Sequence, residues 1–143
     1  VAVQKGGVVD FPNEDGIKHQ VYSFSDAMQF DLLVEEGETK SGPTMNVTGA
    51  INLGCNIHDW MQAYVYVTDT PWFATTDESG SITLELPDNE SFNWEVWHPR
   101  IAESEQGLIG NVNTPSNNVS LTLKQELMPD YNETEDFDDF DDY

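Results

Sequence analysis

Cys55, His58 and Met61 stand at three-residue intervals in the run Gly54-Cys55-Asn56-Ile57-His58-Asp59-Trp60-Met61, and Cys55 is the only cysteine of the chain. A thiolate, an imidazole and a thioether are the donor types that favour copper. A second imidazole, His19, ends the turn-rich stretch Phe11-Pro12-Asn13-Glu14-Asp15-Gly16-Ile17-Lys18-His19. His19, Cys55, His58 and Met61 together supply the two histidines, one cysteine and weak thioether of a type 1 copper site. Zinc fits this set poorly, because structural zinc is closed by four strong donors and a thioether is a weak one. Copper cycling between Cu(I) and Cu(II) accepts three ligands of intermediate softness and one long bond, so little has to rearrange when an electron arrives or leaves. That chemistry suits a carrier better than a catalyst.

Each donor also has an ordinary reading. A lone cysteine can be a small apolar core residue, His19 a surface imidazole and Met61 core filler. Met28, Met45 and Met128 share no ligand spacing and read as packing or loop residues. His98, in Trp97-His98-Pro99-Arg100, has no ligand partner in sequence and reads as a structural residue at a strand end, with a second metal or docking role as the alternative. No nucleophile–base pair, second metal cluster or cofactor loop is evident, so an enzyme is not expected.

The pattern Phe-x-Asn-x-Asp-x-x-x-His at Phe11 to His19, followed by Cys-x-x-His-x-x-Met at Cys55 to Met61 and the strand-like Gln62-Ala63-Tyr64-Val65-Tyr66-Val67, resembles the cupredoxins. The short Cys-His-Met loop is amicyanin-like, and the wider context resembles bacterial cupredoxin-domain or methylamine-utilisation-like proteins. The resemblance implies that His19, Cys55 and His58 are equatorial copper ligands and Met61 the axial one. It also implies that His58 is the electron port, with Ile17, Ile57 and Trp60 at its rim. Gln20 follows the first histidine where many cupredoxins have asparagine, and Asp59 stands where amicyanin-like loops carry proline. A poorly solvated carboxylate beside the port would favour Cu(II) and lower the potential.

Positioning these groups falls to strands. Short, β-branched or aromatic, partly alternating runs recur at Val8–Phe11, Val21–Phe24, Phe30–Val34, Met45–Thr48, Gln62–Thr68, Ser81–Leu86, Phe92–Trp97 and Val119–Leu123. Turn signals separate them, among them Glu78-Ser79-Gly80 and Pro87-Asp88-Asn89-Glu90. Ser25 to Gln29 reads as a single turn. The expected fold is all-β, an antiparallel Greek-key β-sandwich.

Thr75-Thr76-Asp77-Glu78-Ser79-Gly80-Ser81-Ile82-Thr83-Leu84, then Leu86-Pro87 and an aromatic strand ending Val96-Trp97-His98-Pro99, is similar to the later half of carboxypeptidase-regulatory or transthyretin-like β-domains. The expected organisation is a cupredoxin-like copper-binding portion at 1–69, a strand extension at 70–128 merged into the same sandwich through the strand at Ala63 to Val67, and an acidic aromatic tail at 129–143. Ten residues precede Phe11, fewer than cupredoxins usually carry there. Either the chain is a processed fragment, or later strands such as Phe92 to Trp97 fill a vacant edge. An unfilled edge would invite assembly.

Five basic residues against 27 acidic ones give a formal charge of −22 over 143 residues. This balance opposes binding to nucleic acid or an anionic membrane, and no stretch is long and apolar enough to span a bilayer. Solubility in a salty environment or steering towards a basic partner accounts for the excess. In the tail, Phe137, Phe140 and Tyr143 alternate with carboxylates. It reads as a solvated segment, or as a docking peptide whose aromatic residues insert into a partner.

The sequence thus points to a blue copper protein carrying single electrons between partners such as a basic c-type cytochrome or an oxidoreductase. A copper-binding or delivery protein is the alternative, and a non-metal β-sandwich assembly module the third. By the resemblance the protein works in the periplasm or outside the cell, with its leader already removed.

Overall fold

The computed structural model describes residues 1–58, 61–101, 108–115 and 119–122. They fall into two compact units, Val1–Glu85 and Leu86–Tyr143. The fold is all-β, with no helix among the described residues.

The first unit contains β1 (Ala2–Gln4), β2 (Asp10–Pro12), β3 (His19–Ser25), β4 (Met28–Val34), β5 (Thr39–Ser41), β6 (Gly49–Cys55) and β7 (Gln62–Thr68). Five of these make one sheet in the order β1-β7-β6-β3-β4, and β2 pairs with β5 as a separate ribbon. Every neighbouring pair is antiparallel except β1 and β7, which run parallel. The edge beside β7 is therefore taken by β1, while Phe92 pairs with Val112 in the second unit.

Side chains on a strand alternate between faces, and here alternation selects the core. His19, Val21 and Ser23 share the inner face of β3, opposite Val34, Leu32 and Phe30 of β4. Ile51, Leu53 and Cys55 do the same on β6, with Val65 opposite Ile51 and Ala63 opposite Leu53 on β7. Met45, Ile51, Leu53, Val65 and Val67 form the buried cluster, and Val3, Val9, Phe11, Val21, Met28 and Phe30 pack against it. Burying each such aliphatic side chain contributes about 1.5–3 kcal/mol. Phe11 carries the β2–β5 ribbon onto the sheet, with its ring 6.0 Å from that of Phe30.

Three expected strands take other forms. Met45 to Thr48 is an irregular connection. Its Met45 is fully buried and is fixed by backbone bonds with Gly6 and Gly7, so packing and a single pair of backbone bonds, not a strand ladder, hold it. Ser81 to Leu86 and Val119 to Thr122 are without strand structure; Ile82 and Val119 are exposed. Alternation alone makes no strand where no neighbour completes its ladder. Ser25 to Gln29 holds the turn at Asp26-Ala27 joining β3 to β4.

In the second unit, β8 (Ser91–Val96) and β9 (Leu108–Asn113) pair antiparallel over six residues. The Trp94 ring packs against Gly110, where an added Cβ would come within 2.2 Å of it. On the other face Asn111 bridges Ser91 and Asn93. His98 ends the ribbon structurally: its Nδ1 accepts from the Arg100 amide at 3.1 Å, and burial first, then Arg100, holds its pKa below the ordinary value.

Candidate metal centre

β3 begins where β6 ends. Because the two run antiparallel with Val21 opposite Cys55, the first residue of β3 and the last of β6 meet at one end of the sheet, on its inner face. His19 and Cys55 are both buried there, 7% and 6% exposed. Their Nδ1 and Sγ atoms lie 3.5 Å apart.

The loop from Cys55 to β7 brings the remaining donors back. Asn56 donates to the Gln20 carbonyl, continuing the β3–β6 ladder by one residue, and Met61 donates to the His58 carbonyl at 3.1 Å, closing a turn. One ligand atom each from His19, Cys55 and His58 lies within 4.8 Å of the others. The two imidazole rings are 5.3 Å apart, tilted by 41°. Met61, 40% exposed, lines the two open spaces that also touch Cys55. The four residues singled out in the sequence are thus brought together. Ile17 and Ile57 are exposed, at 48% and 42%; Trp60 and Asp59 lie outside the described residues, as does the tail.

Two further residues hold the site, and sequence reasoning had passed over their roles. Asp15 Oδ2 takes a hydrogen bond from His19 Nε2 at 2.7 Å. A carboxylate on one ring nitrogen fixes the tautomer, so the lone pair falls on the other, and here the other faces Cys55. Asn13 is buried, and its Nδ2 reaches the carbonyls of Ile17, Val34 and Glu35 at 2.8, 3.2 and 3.1 Å. Its Oδ1 accepts from the Asp15 amide at 3.0 Å. Asn13 therefore bends the loop so that Asp15 comes back over His19. The signal was present in the four-residue step from Asp15 to His19, but in a loop spacing alone does not fix direction.

Electrostatics follow from these contacts. The hydrogen bond with Cys55 is the main cause raising the His19 pKa; burial opposes it, and Asp15 adds to the rise. For Cys55, burial pushes the thiol up, but hydrogen bonds with His19 and with backbone groups of Ile57, Gln20 and His58 outweigh it and bring the thiol from 9.0 to about 7. A thiolate is the metal-binding form. A soft thiolate and two imidazoles that converge, with a thioether adjoining, fit copper.

No protein-family model and no curated protein matches the chain. Among solved structures, the chain is similar to a purple cupredoxin from Nitrosopumilus maritimus, at 19% identity over 48% of this chain and 76% of that one, with a TM-score of 0.43. It is also similar to amicyanin: a methionine-to-alanine mutant in the Cu(I) form and an oxidised proline-to-alanine mutant each share 21% identity over 48% of this chain and 68% of theirs, with TM-scores of 0.43 and 0.42.

Proposed function

We propose that the first unit is a type 1 copper protein that carries single electrons between protein partners. The observation that carries this reading is the convergence of His19, Cys55 and His58 donor atoms within 4.8 Å, beside the Met61 thioether. His19, Cys55 and His58 would hold the ion strongly and Met61 weakly. Copper, when bound, supplies a one-electron couple between Cu(I) and Cu(II).

The residues around it prepare that chemistry. Asp15 keeps the His19 ring turned so that Nδ1 offers its lone pair towards Cys55. Hydrogen bonds from His19 first, then from backbone groups of Ile57, Gln20 and His58, outweigh burial and bring the Cys55 thiol down to about 7. Ile17 and Ile57 are exposed, and in this reading they form the apolar rim of the His58 port, suited to a short contact with a partner. In this reading the partner is a redox protein, basic enough to meet a chain of charge −22, and the protein works in the periplasm or outside the cell.

Visible absorption and Cu(II) paramagnetic resonance after stoichiometric loading test the reading. An intense thiolate-to-copper band with narrow copper hyperfine splitting is expected. Cys55→Ser should abolish it, whereas Met61→Leu should keep the colour and shift the potential. An unchanged band in Cys55→Ser would overturn the assignment. The 40% exposure of Met61 favours a second reading, copper storage or delivery. Firm Cu(I) retention without colour after oxidation is the result that would select it.

A further inference from the structure

Asn-x-Ser/Thr runs begin at Asn46, Asn89, Asn118 and Asn132, and electron transfer uses none of them. Such a run is the acceptor signal for N-linked sugar. It serves a folded chain only on an exposed segment that is free to turn the asparagine amide back towards the hydroxyl two residues on. Asn118 and Asn132 lie outside the described residues. The structure separates the other two.

Asn46-Val47-Thr48 lies in the irregular connection between β5 and β6. All three residues are exposed, Val47 at 51%, and the chain bends at Val47, between the asparagine and the threonine. The segment is held at its ends and not along its length. On one side Met45 is fully buried and tied by backbone bonds to Gly6 and Gly7. On the other, Gly49 leaves the bend at a φ of 123° and enters β6. Turning Asn46 towards Thr48 therefore breaks no strand ladder and uncovers no core side chain.

Asn89-Glu90-Ser91 is exposed too, but its neighbours hold it. Asn89 stands in the turn before β8 at a φ of 60°. The Glu90 amide donates to Thr114 Oγ1 at 3.0 Å, and the Glu90 carbonyl accepts from the Thr114 amide at 2.8 Å. Ser91 opens β8, and its hydroxyl bonds with the Asn111 side chain at 3.0 and 3.2 Å. Bringing the Ser91 hydroxyl round to Asn89 means breaking this pairing.

Position makes the first segment compatible with the metal centre. Gly49 and Cys55 are the first and last residues of β6, roughly 20 Å apart at the usual rise of a strand. A bulky group on Asn46 covers exposed Val47 at the end of the sheet away from Cys55, and leaves the ligand end open.

We propose that Asn46 is the acceptor of an N-linked oligosaccharide and that Asn89, in the folded chain, is not. The donor is a polyprenol-phosphate-linked oligosaccharide. A bond forms between Asn46 Nδ2 and the anomeric carbon of the sugar, the bond from that carbon to the lipid phosphate oxygen breaks, and the proton lost by the amide ends on the released phosphate. The proposal rests on export of the protein and not on copper.

The test treats the folded full chain with an oligosaccharyltransferase that reads the bare Asn-x-Ser/Thr signal, together with its polyprenol-linked donor, and follows each site by peptide mass spectrometry. Asn46 should be modified about tenfold faster than Asn89, the penalty of breaking one or two hydrogen bonds before the turn can form. Ser91→Thr gives both signals the same hydroxyl residue and should leave that ratio standing, whereas unfolded peptides spanning the two runs in that variant should react at similar rates. Thr48→Ala should abolish modification at Asn46 and Thr48→Ser should retain it. In protein isolated from its own host, the peptide containing Asn46 should carry the sugar mass, and Asn46→Gln should remove it. A bare Asn46 in that protein, or equal modification of Asn46 and Asn89 in the folded chain, would overturn the proposal.

Discussion

Acid should release Cys55 from its thiolate form in a range set by the site. The thiol falls from 9.0 to about 7 in the folded, metal-free protein. Two units correspond to about 2.7 kcal/mol of preference for the thiolate. A depressed folded value stabilises the fold above the unfolded value of 9.0, and this contribution is lost as pH falls through about 7. His19 has the opposite sign: its raised pKa stabilises the fold below 6.5 and that contribution is lost as pH rises through the folded value. Both shifts share the His19–Cys55 hydrogen bond, so the two titrations are coupled and their contributions do not add. Ultraviolet thiolate absorbance isolates Cys55, and its midpoint should fall near 7. At neutral pH about half of the thiol is then ionised, against about 1% for an ordinary one, so copper uptake should be roughly 50-fold more favourable on that account. His19→Ala removes the largest of the interactions that lower the thiol and should move the midpoint upward. A midpoint near 9 in the unaltered protein, or one indifferent to His19→Ala, would refute the argument.

Asp15→Ala frees the His19 ring, and competition with a chelator should show copper affinity reduced roughly 10–100-fold, the usual effect of losing a partner of a ligating histidine. Asn13→Ala leaves three carbonyls without their amide donor; urea denaturation should show a loss of about 1–3 kcal/mol, and an unchanged midpoint would mean that the loop holds itself. Gly110→Ala drives a methyl group into the Trp94 ring; near-ultraviolet circular dichroism should change while the copper band remains.

The sequence made the donors legible because ligand chemistry resides in residue type and short spacing. Cys55, His58 and Met61 are close along the chain, and a hairpin-like return between β6 and β7 brings them together. His19 is 36 residues from Cys55, and only the β3–β6 register brings it there. Alternation identified β3, β4 and β7, each paired over six or seven residues with at least one neighbouring strand. It misled at Ser81 to Leu86, because a period of two describes what a strand could bury, not whether a neighbour offers it a ladder. The role of Asn13 was hidden for another reason: a polar residue in a turn-rich stretch reads as exposed, and its burial depends on carbonyls from β4 and the turn after it.

The site divides between strand ends and a loop, and that division bears on the proposed electron transfer. His19 and Cys55 terminate adjacent strands whose inner faces continue into the core, and Asp15 pins the His19 ring from outside. His58 and Met61 belong to the loop, where one backbone bond joins them. Were copper held here, the thiolate and imidazole fixed by the sheet would be its strong ligands and the thioether on the loop its weak one. Cys55 is also where the two faces of the sheet meet: its side chain enters the core with His19, while the backbone just before it carries the Tyr22 ring on the outer face. One strand end therefore carries a candidate ligand on its inner face and an aromatic contact on its outer face.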